Sequence, residues 1–409
     1  MPEVRPFYGW RFNPQKVDLS KVVAPPYDVV SPEEKEAYLA QDPHNIFHLE
    51  LARDPEKAAH TLQSWIRKGI LFQEPQPILY LYRLHFTHQG RKLTRTGFVG
   101  LVRIFPPEKY IFPHEKIFPK VTEERLTLLR ATQAQFSQIF VLYGDPQGYA
   151  FSLSPPGPPL LQVEFQDQMH EIFALNDPRI WKELGLLWEK TPFYIADGHH
   201  RYATALRYAE EMTQVLNPKG PRCFHYLMMY LCPLEDPGLL ALPTHRILRI
   251  SFSAEALLKA LAEFAEVRED PLAFPSLEKR TLLVLSEGRR WAITLRPEVL
   301  ERFSRESGLP EEELPAAWCA RLIEILCGEG EKDLQERGLL IYTPWVEEVE
   351  HEAAQGGLGF LLPATALKTL VRVAATGRVM PHKSTYFYPK ILTGTVIFRI
   401  NPQSAPPCP

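Results

Sequence analysis

Proline sets the grain of this chain. Thirty-nine prolines in 409 residues each fix φ near about −65° and remove a backbone donor. They gather at Pro25/Pro26, at Pro106/Pro107 and in the tract SLSPPGPPL from Ser152 to Leu160. Punctuation of this kind leaves short elements joined by stiff loops. It also interrupts apolar runs: no stretch reaches about 18 apolar residues without a charge or a proline, the length a membrane helix needs. The most apolar runs, such as Phe224–Cys232, are strand-sized, and the opening MPEVRPFYGWRF has no apolar core of a secretory signal. The expectation is a cytoplasmic protein without a membrane partner.

A chain of this length with 45% hydrophobic residues is expected to bury more than one core, so two or more lobes are predicted. The reading places a main α/β region over residues 1–238, an additional α+β lobe over 239–359, and a segment over 360–409 that returns to the first region. Forty-six Lys and Arg against 49 Asp and Glu provide no global attraction to nucleic acid or anionic lipid, although a local basic pocket can still bind phosphate. The cysteines are Cys223, Cys232, Cys319, Cys327 and Cys408, an odd number without CxxC spacing. They read as small buried hydrophobes rather than as a disulfide framework or zinc site.

Local signals place several elements. Ser31-Pro32-Glu33-Glu34 combines a capping serine, a first-position proline and a glutamate three residues after the cap, which predicts a helix to about Leu39. Asp54-Pro55 starts another, with Gly69 as its stop. Residues 78–86 and 98–105 read as paired strands around His88-Gln89-Gly90. A helix is predicted over 122–133 and a buried strand over 138–143. Further helices are expected over 176–189 and 253–266, a strand over 224–231, and a hairpin around Glu287-Gly288.

The sharpest signal is Asp197-Gly198-His199-His200-Arg201-Tyr202, between the strand at Phe193-Tyr194-Ile195 and the helical segment ATALRYAEEM. Glycine at such a turn permits close backbone approach, and a helix start offers unpaired N–H groups with the positive end of the dipole. His200 and Arg201 add donors suited to phosphate oxygens. The alternatives are a capped turn in which Asp197 accepts backbone N–H bonds, and a metal site.

VVAPPYDVVSPEE, HEKIFPKVTEERLTLLRATQAQFSQIFVLYGD, FYIADGHHRYATAL, LPTHRIL and MPHKSTYFYPKILTGTVIF together resemble the DUF1015 family across nearly the whole chain. That family is considered related to the ParB/sulfiredoxin superfamily, which includes an archaeal free-serine kinase. The resemblance implies an α/β phosphate-binding core with a mixed sheet. Within it, Gly198-His199-His200-Arg201 is similar to sulfiredoxin's Gly-Cys-His-Arg turn, with His200 and Arg201 matching the phosphate-contacting pair. His199 stands where the reactive cysteine would be, which disfavours sulfiredoxin chemistry. The basic box of ParB is replaced as well, so a chromosome-partitioning role is disfavoured.

Other candidates are scattered. Glu115 is read as a base for a hydroxyl group, with Lys116 neutralising phosphate and Arg125 reaching the same anion; a loop salt bridge is the competing reading. Asp28, after Pro25-Pro26-Tyr27, is a candidate catalytic carboxylate and, with Asp197, a candidate Mg²⁺ ligand; an Asx turn competes. Lys383, Ser384 and Thr385 are candidate nucleotide contacts, and His245 with Arg246 a candidate substrate anchor or an interface ion pair. No Walker loop, GxSxG elbow or kinase HRD and DFG set is present. The resulting expectation is a Mg²⁺-assisted phosphotransferase using ATP or ADP, with CTP also admitted, on a small hydroxyl metabolite. Serine enters as acceptor only by analogy with the related kinase. The alternatives are a phosphatase or nucleotide hydrolase, and a non-catalytic nucleotide-binding switch or scaffold; a homodimer is the candidate assembly.

Overall fold

A computed structural model describes residues 2–107, 110–115 and 119–408. The chain forms two compact units. One comprises Met1–Pro113, Ile117–Leu239 and Pro389–Pro409, and the other His114–Lys116 and Leu240–Tyr388.

The first unit is mixed α/β. Among the described residues its main sheet has nine strands. The path runs Ile111–Phe112, Phe193–Asp197, Ile139–Tyr143, Tyr226–Pro233, Arg91–Arg103, Leu79–His88, Gln168–Leu175 and Leu161–Phe165, with Val4–Arg5 pairing to Arg91–Arg103. Two pairs are parallel, Phe193–Asp197 with Ile111–Phe112 and Tyr226–Pro233 with Ile139–Tyr143. Burial follows position in the sheet. Every residue of the interior strand Tyr226–Pro233 is buried, whereas Leu161–Phe165 at the end of the path alternates buried and exposed, as a strand covered on one face must. The core over one face joins Leu79, Leu81, Ile139, Val141 and Ile195 to Leu184 and Trp188 of the helix Pro178–Trp188.

Local chemistry accounts for the boundaries. Ser31 forms the full capping box with Glu34 at the start of the helix Pro32–Gln41. Asp54 caps the helix Pro55–Arg67 through the Glu56 and Lys57 amides. The strands Leu79–His88 and Arg91–Arg103 turn through Gln89 and Gly90, both at positive φ, the geometry of a two-residue hairpin loop.

The second unit has a six-stranded antiparallel sheet in the order Ala265–Glu269, Arg289–Leu295, Thr281–Ser286, Leu358–Leu361, His245–Leu248 and Leu340–Thr343. Its core packs Leu282, Val284 and Ile293 with Trp318 and Leu322 of the helix Pro315–Cys327. The hairpin expected at Glu287-Gly288 is present. The helix expected over 253–266 is shorter. It runs Ala254–Leu261 behind the Ser253 cap, and Ala265–Glu269 is a strand because Ala265 and Val267 pair with Leu295 and Ile293. Edge pairing there prevails over helical periodicity.

One expectation about cysteine is corrected. Cys223 and Cys408 form a disulfide, with Cα atoms 5.5 Å apart and 185 residues between them. Spacing carries no trace of a bridge this long. Cys232 and Cys319 are buried thiols, as read from sequence. Among the described residues, no helix is long and apolar enough to cross a membrane.

Candidate functional site

The strand Phe193–Asp197 runs directly into the helix His199–Leu216, with Gly198 between them at φ 92°. That conformation favours glycine, and space demands it as well. A Cβ at this position would lie 2.6 Å from Cγ2 of Ile139 and 3.0 Å from Nη2 of Arg201. The register of the strand shifts between Ile195 and Asp197, and an irregularity of this type re-aims the following side chain.

Among the described residues, two cations face Asp197. Lys390 Nζ stands 3.5 Å from its Oδ2, and Arg201 Nη2 stands 3.7 Å from the same atom. The other side of the Arg201 guanidinium is held firmly: Nη1 donates to Ser137 Oγ and to the Gln138 carbonyl, both at 2.9 Å. Ser137 Oγ in turn donates to Glu50 Oε1 at 2.7 Å. Burial opposes the charge of Arg201, but Asp197, Asp28, Tyr27 and Glu50 outweigh it and raise its pKa. Burial raises the pKa of Glu50, against the pull of Arg201, the Ser137 hydrogen bond and Arg125. The arginine is thus a fixed cation beside a carboxylate whose charge is penalised.

A cleft of about 60 Å³ opens beside this chain of contacts, lined by Tyr27, Glu50, Arg125, Leu128, Ser137 and Arg201. Arg125 donates to the Glu50 carbonyl at 2.7 Å and lies 4.6 Å over the Tyr27 ring, a cation–π stack. Burial first, and then the Asp28 carboxylate, push the Tyr27 phenol up to about 12. Asp28 is exposed, in the single turn Tyr27–Val29. In the first turn of the glycine-led helix, His199 is buried and His200 partly exposed.

The remaining sequence candidates belong to the second unit. Glu115 Oε1 accepts from the Lys383 amide at 2.7 Å and lies 3.1 Å from His382 Nδ1. The Met380 amide donates to the His114 carbonyl at 2.7 Å, which fixes this short parallel bridge. Lys383 has φ 53°, Ser384 is buried with its hydroxyl on the Pro381 carbonyl at 2.6 Å, and Thr385 is partly exposed. Arg246 is fully enclosed. It donates to Glu331 at 3.0 Å, to the His382 carbonyl at 3.2 Å and to the Thr244 carbonyl, and its guanidinium stacks 5.1 Å over Tyr342. His245 accepts from the Leu362 amide at 3.1 Å; burial and then Arg246 lower its pKa to about 4. These contacts all lie within the second unit. Lys116 lies outside the described residues.

Among the described residues no three His, Cys, Asp or Glu side chains are grouped to hold a metal. Magnesium carried on nucleotide phosphates asks for only one or two carboxylates, and those read for it from sequence are the exposed Asp28 and Asp197, which faces Arg201 and Lys390. Sequence reasoning missed Lys390, Glu50 and Ser137. Lys390 had a signal in its place just after the aromatic run Tyr386–Tyr388 and Pro389, whereas Glu50 and Ser137 had none.

A family model described as a protein of unknown function, DUF1015, matches residues 4–317. The chain belongs to the DUF1015 family. No curated protein matches it by sequence. Among solved structures, a free serine kinase in complex with ADP aligns at 16% identity and a TM-score of 0.36, over 68% of this chain and 84% of that one. A conserved hypothetical protein from Pyrococcus furiosus aligns at 16% identity and 0.35, over 69% and 89%. SbnI with a C-terminal truncation, from Staphylococcus aureus, aligns at 11% identity and 0.37, over 72% and 85%. The DUF1015 turn at Gly198 carries its two cations from positions 189 residues apart, Arg201 on the helix and Lys390 on the segment that rejoins the first unit.

Proposed function

We propose that this DUF1015 protein binds the phosphate chain of a nucleotide at the start of the helix His199–Leu216 and transfers a phosphoryl group to a small hydroxyl metabolite, with free serine as one candidate acceptor. The observation that carries the reading is the convergence of Arg201 and Lys390 on Asp197 at a glycine-led helix start. Both contacts to the carboxylate, at 3.5 and 3.7 Å, are longer than a charge-assisted hydrogen bond of about 2.7–2.9 Å. An entering phosphate offers three acceptor oxygens to the same two donors and adds the helix N–H groups as partners.

Phosphoryl transfer asks a protein chiefly for positioning and charge neutralisation. Arg201 suits that task because Ser137 and Gln138 hold its other edge, so its fork is oriented before ligand arrives.

The test is mass spectrometry of purified protein with ATP, ADP or CTP and a pool of hydroxyl metabolites that includes serine. The expected result is one metabolite heavier by a phosphoryl group, dependent on both nucleotide and protein. Phosphate release that ignores the acceptor would make the protein a hydrolase. Nucleotide binding with neither product would make it a switch or scaffold. E115Q tests the acid–base role read from sequence: glutamine keeps an acceptor for the Lys383 amide, so turnover and nucleotide affinity are both expected to stay at the wild-type level, and lost turnover in a folded variant would return Glu115 to the chemistry.

A further inference from the structure

We propose that Arg95 is the positioning residue of this phosphate site, holding the backbone at Pro389 so that Lys390 meets Asp197. The inference rests on the phosphate-binding reading above and adds a residue that never touches the ligand. Arg95 sits within the strand Arg91–Arg103, opposite Leu84, and is 0% exposed. Burying a guanidinium costs several kcal/mol unless its geometry is well satisfied, and an apolar side chain would fill the same volume without that cost.

The Arg95 guanidinium meets more than one group: its charge counters the burial that raises the Asp236 pKa, and it also fixes a stretch of backbone. Its guanidinium carbon lies 4.9 Å from the centre of the Phe140 ring and 5.8 Å from that of Tyr230, which orients the planar group. Nη2 then donates to the Pro389 carbonyl at 2.7 Å. Proline has no N–H, so its carbonyl is the only backbone group by which that residue can be tied down. Pro389 is also the first residue of the segment that rejoins the first unit, and Lys390 follows it immediately.

Phe140 connects Arg95 to the other half of the ion pair. It is the strand partner of Asp197, at the point where the register shifts. One aromatic ring therefore packs under the guanidinium that fixes Pro389 and belongs to the residue paired with Asp197. A flexible lysine loses about 2 kcal/mol of rotamer freedom when ordered, and a fixed backbone lowers the further cost of placing it.

The test is a double-mutant cycle read by calorimetric titration of inorganic pyrophosphate, a probe that needs no knowledge of the base. K390M is expected to weaken pyrophosphate binding about tenfold, the worth of one charged contact. R95M is expected to weaken it by a similar factor, and the double variant by about tenfold in total rather than a hundredfold, because both changes remove one contribution. A full hundredfold in the double variant, or wild-type affinity in R95M, would overturn the assignment. Should circular dichroism find R95M unfolded, the same cycle with R95K decides; it keeps the charge and loses the planar fork. If wild-type protein binds no pyrophosphate, the phosphate reading itself fails. If it binds and R201Q abolishes binding while Arg95 and Lys390 act additively, only the role of Arg95 fails.

Discussion

Each unit of this protein buries an arginine among carboxylate and aromatic partners, and the two are used differently. Arg246 is fully enclosed, meets Glu331 at 3.0 Å, stacks on Tyr342 and gives its other donors to backbone carbonyls. Arg201 lines a cleft, keeps one edge on Ser137 and Gln138, and faces Asp197 at 3.7 Å with Lys390 on the same carboxylate oxygen. The first is closed electrostatics, which fixes a unique packing. The second has a cation held on one edge by Ser137 and Gln138 and facing a carboxylate at 3.7 Å on the other, which suits recruitment of an anion to that edge. Burial alone does not separate the two cases; the length and replaceability of the carboxylate contact does.

The largest effect is expected in the closed case. Arg246→Ala leaves Glu331, whose side chain is 10% exposed, without its cation, and removing one partner of a buried pair costs about 3–5 kcal/mol. Urea unfolding checks this, and pyrophosphate affinity of the remaining folded protein is expected to stay at the wild-type level. Loss of affinity there would break the distinction between the two arginines. Next is R201Q, expected to weaken ATP binding about a hundredfold, equivalent to about 2.7 kcal/mol, with the protein still folded by circular dichroism.

A pH series sharpens the same contrast. The folded-state pKa of His245, about 4, lies below the roughly 6.5 of an unfolded imidazole. The unfolded chain therefore binds the proton more readily. Stability from this group is complete above about pH 6.5 and falls as pH drops toward 4, by at most about 1.4 kcal/mol per pH unit. His170 and His225, lowered to about 3 and 4 chiefly by burial, act in the same direction. H245N is expected to flatten the fall between pH 6.5 and 5 in thermal melts; an unchanged slope would remove His245 from the account. The smallest effect is that of K390Q, about tenfold on ATP affinity, read by calorimetry.

What could be read from sequence was local. The capping box at Ser31, the Asp54 cap and the hairpins at Gln89-Gly90 and Glu287-Gly288 depend on residues a few positions apart. The glycine-led helix start with Arg201 was legible for the same reason. The other half of the site was not. Lys390 reaches Asp197 across 193 residues, and Glu50 reaches Ser137 across 87, so neither pairing leaves a spacing pattern. Arg246 was noticed as a polar residue beside an apolar run, but its partner Glu331 lies 85 residues away, and without that contact a buried pair and a ligand anchor look alike. The first two residues of the strand Ala265–Glu269 were read as the end of a helix because the strand's pairing with Arg289–Leu295 is invisible to periodicity.

The central claim is that Arg201, held on one edge by Ser137 and Gln138, binds phosphate. Calorimetric titration of ATP into wild-type protein and R201Q, with both shown to be folded, tests it most directly. The account predicts binding by the wild type and about a hundredfold weaker binding by R201Q. Equal affinities in two folded proteins would contradict it.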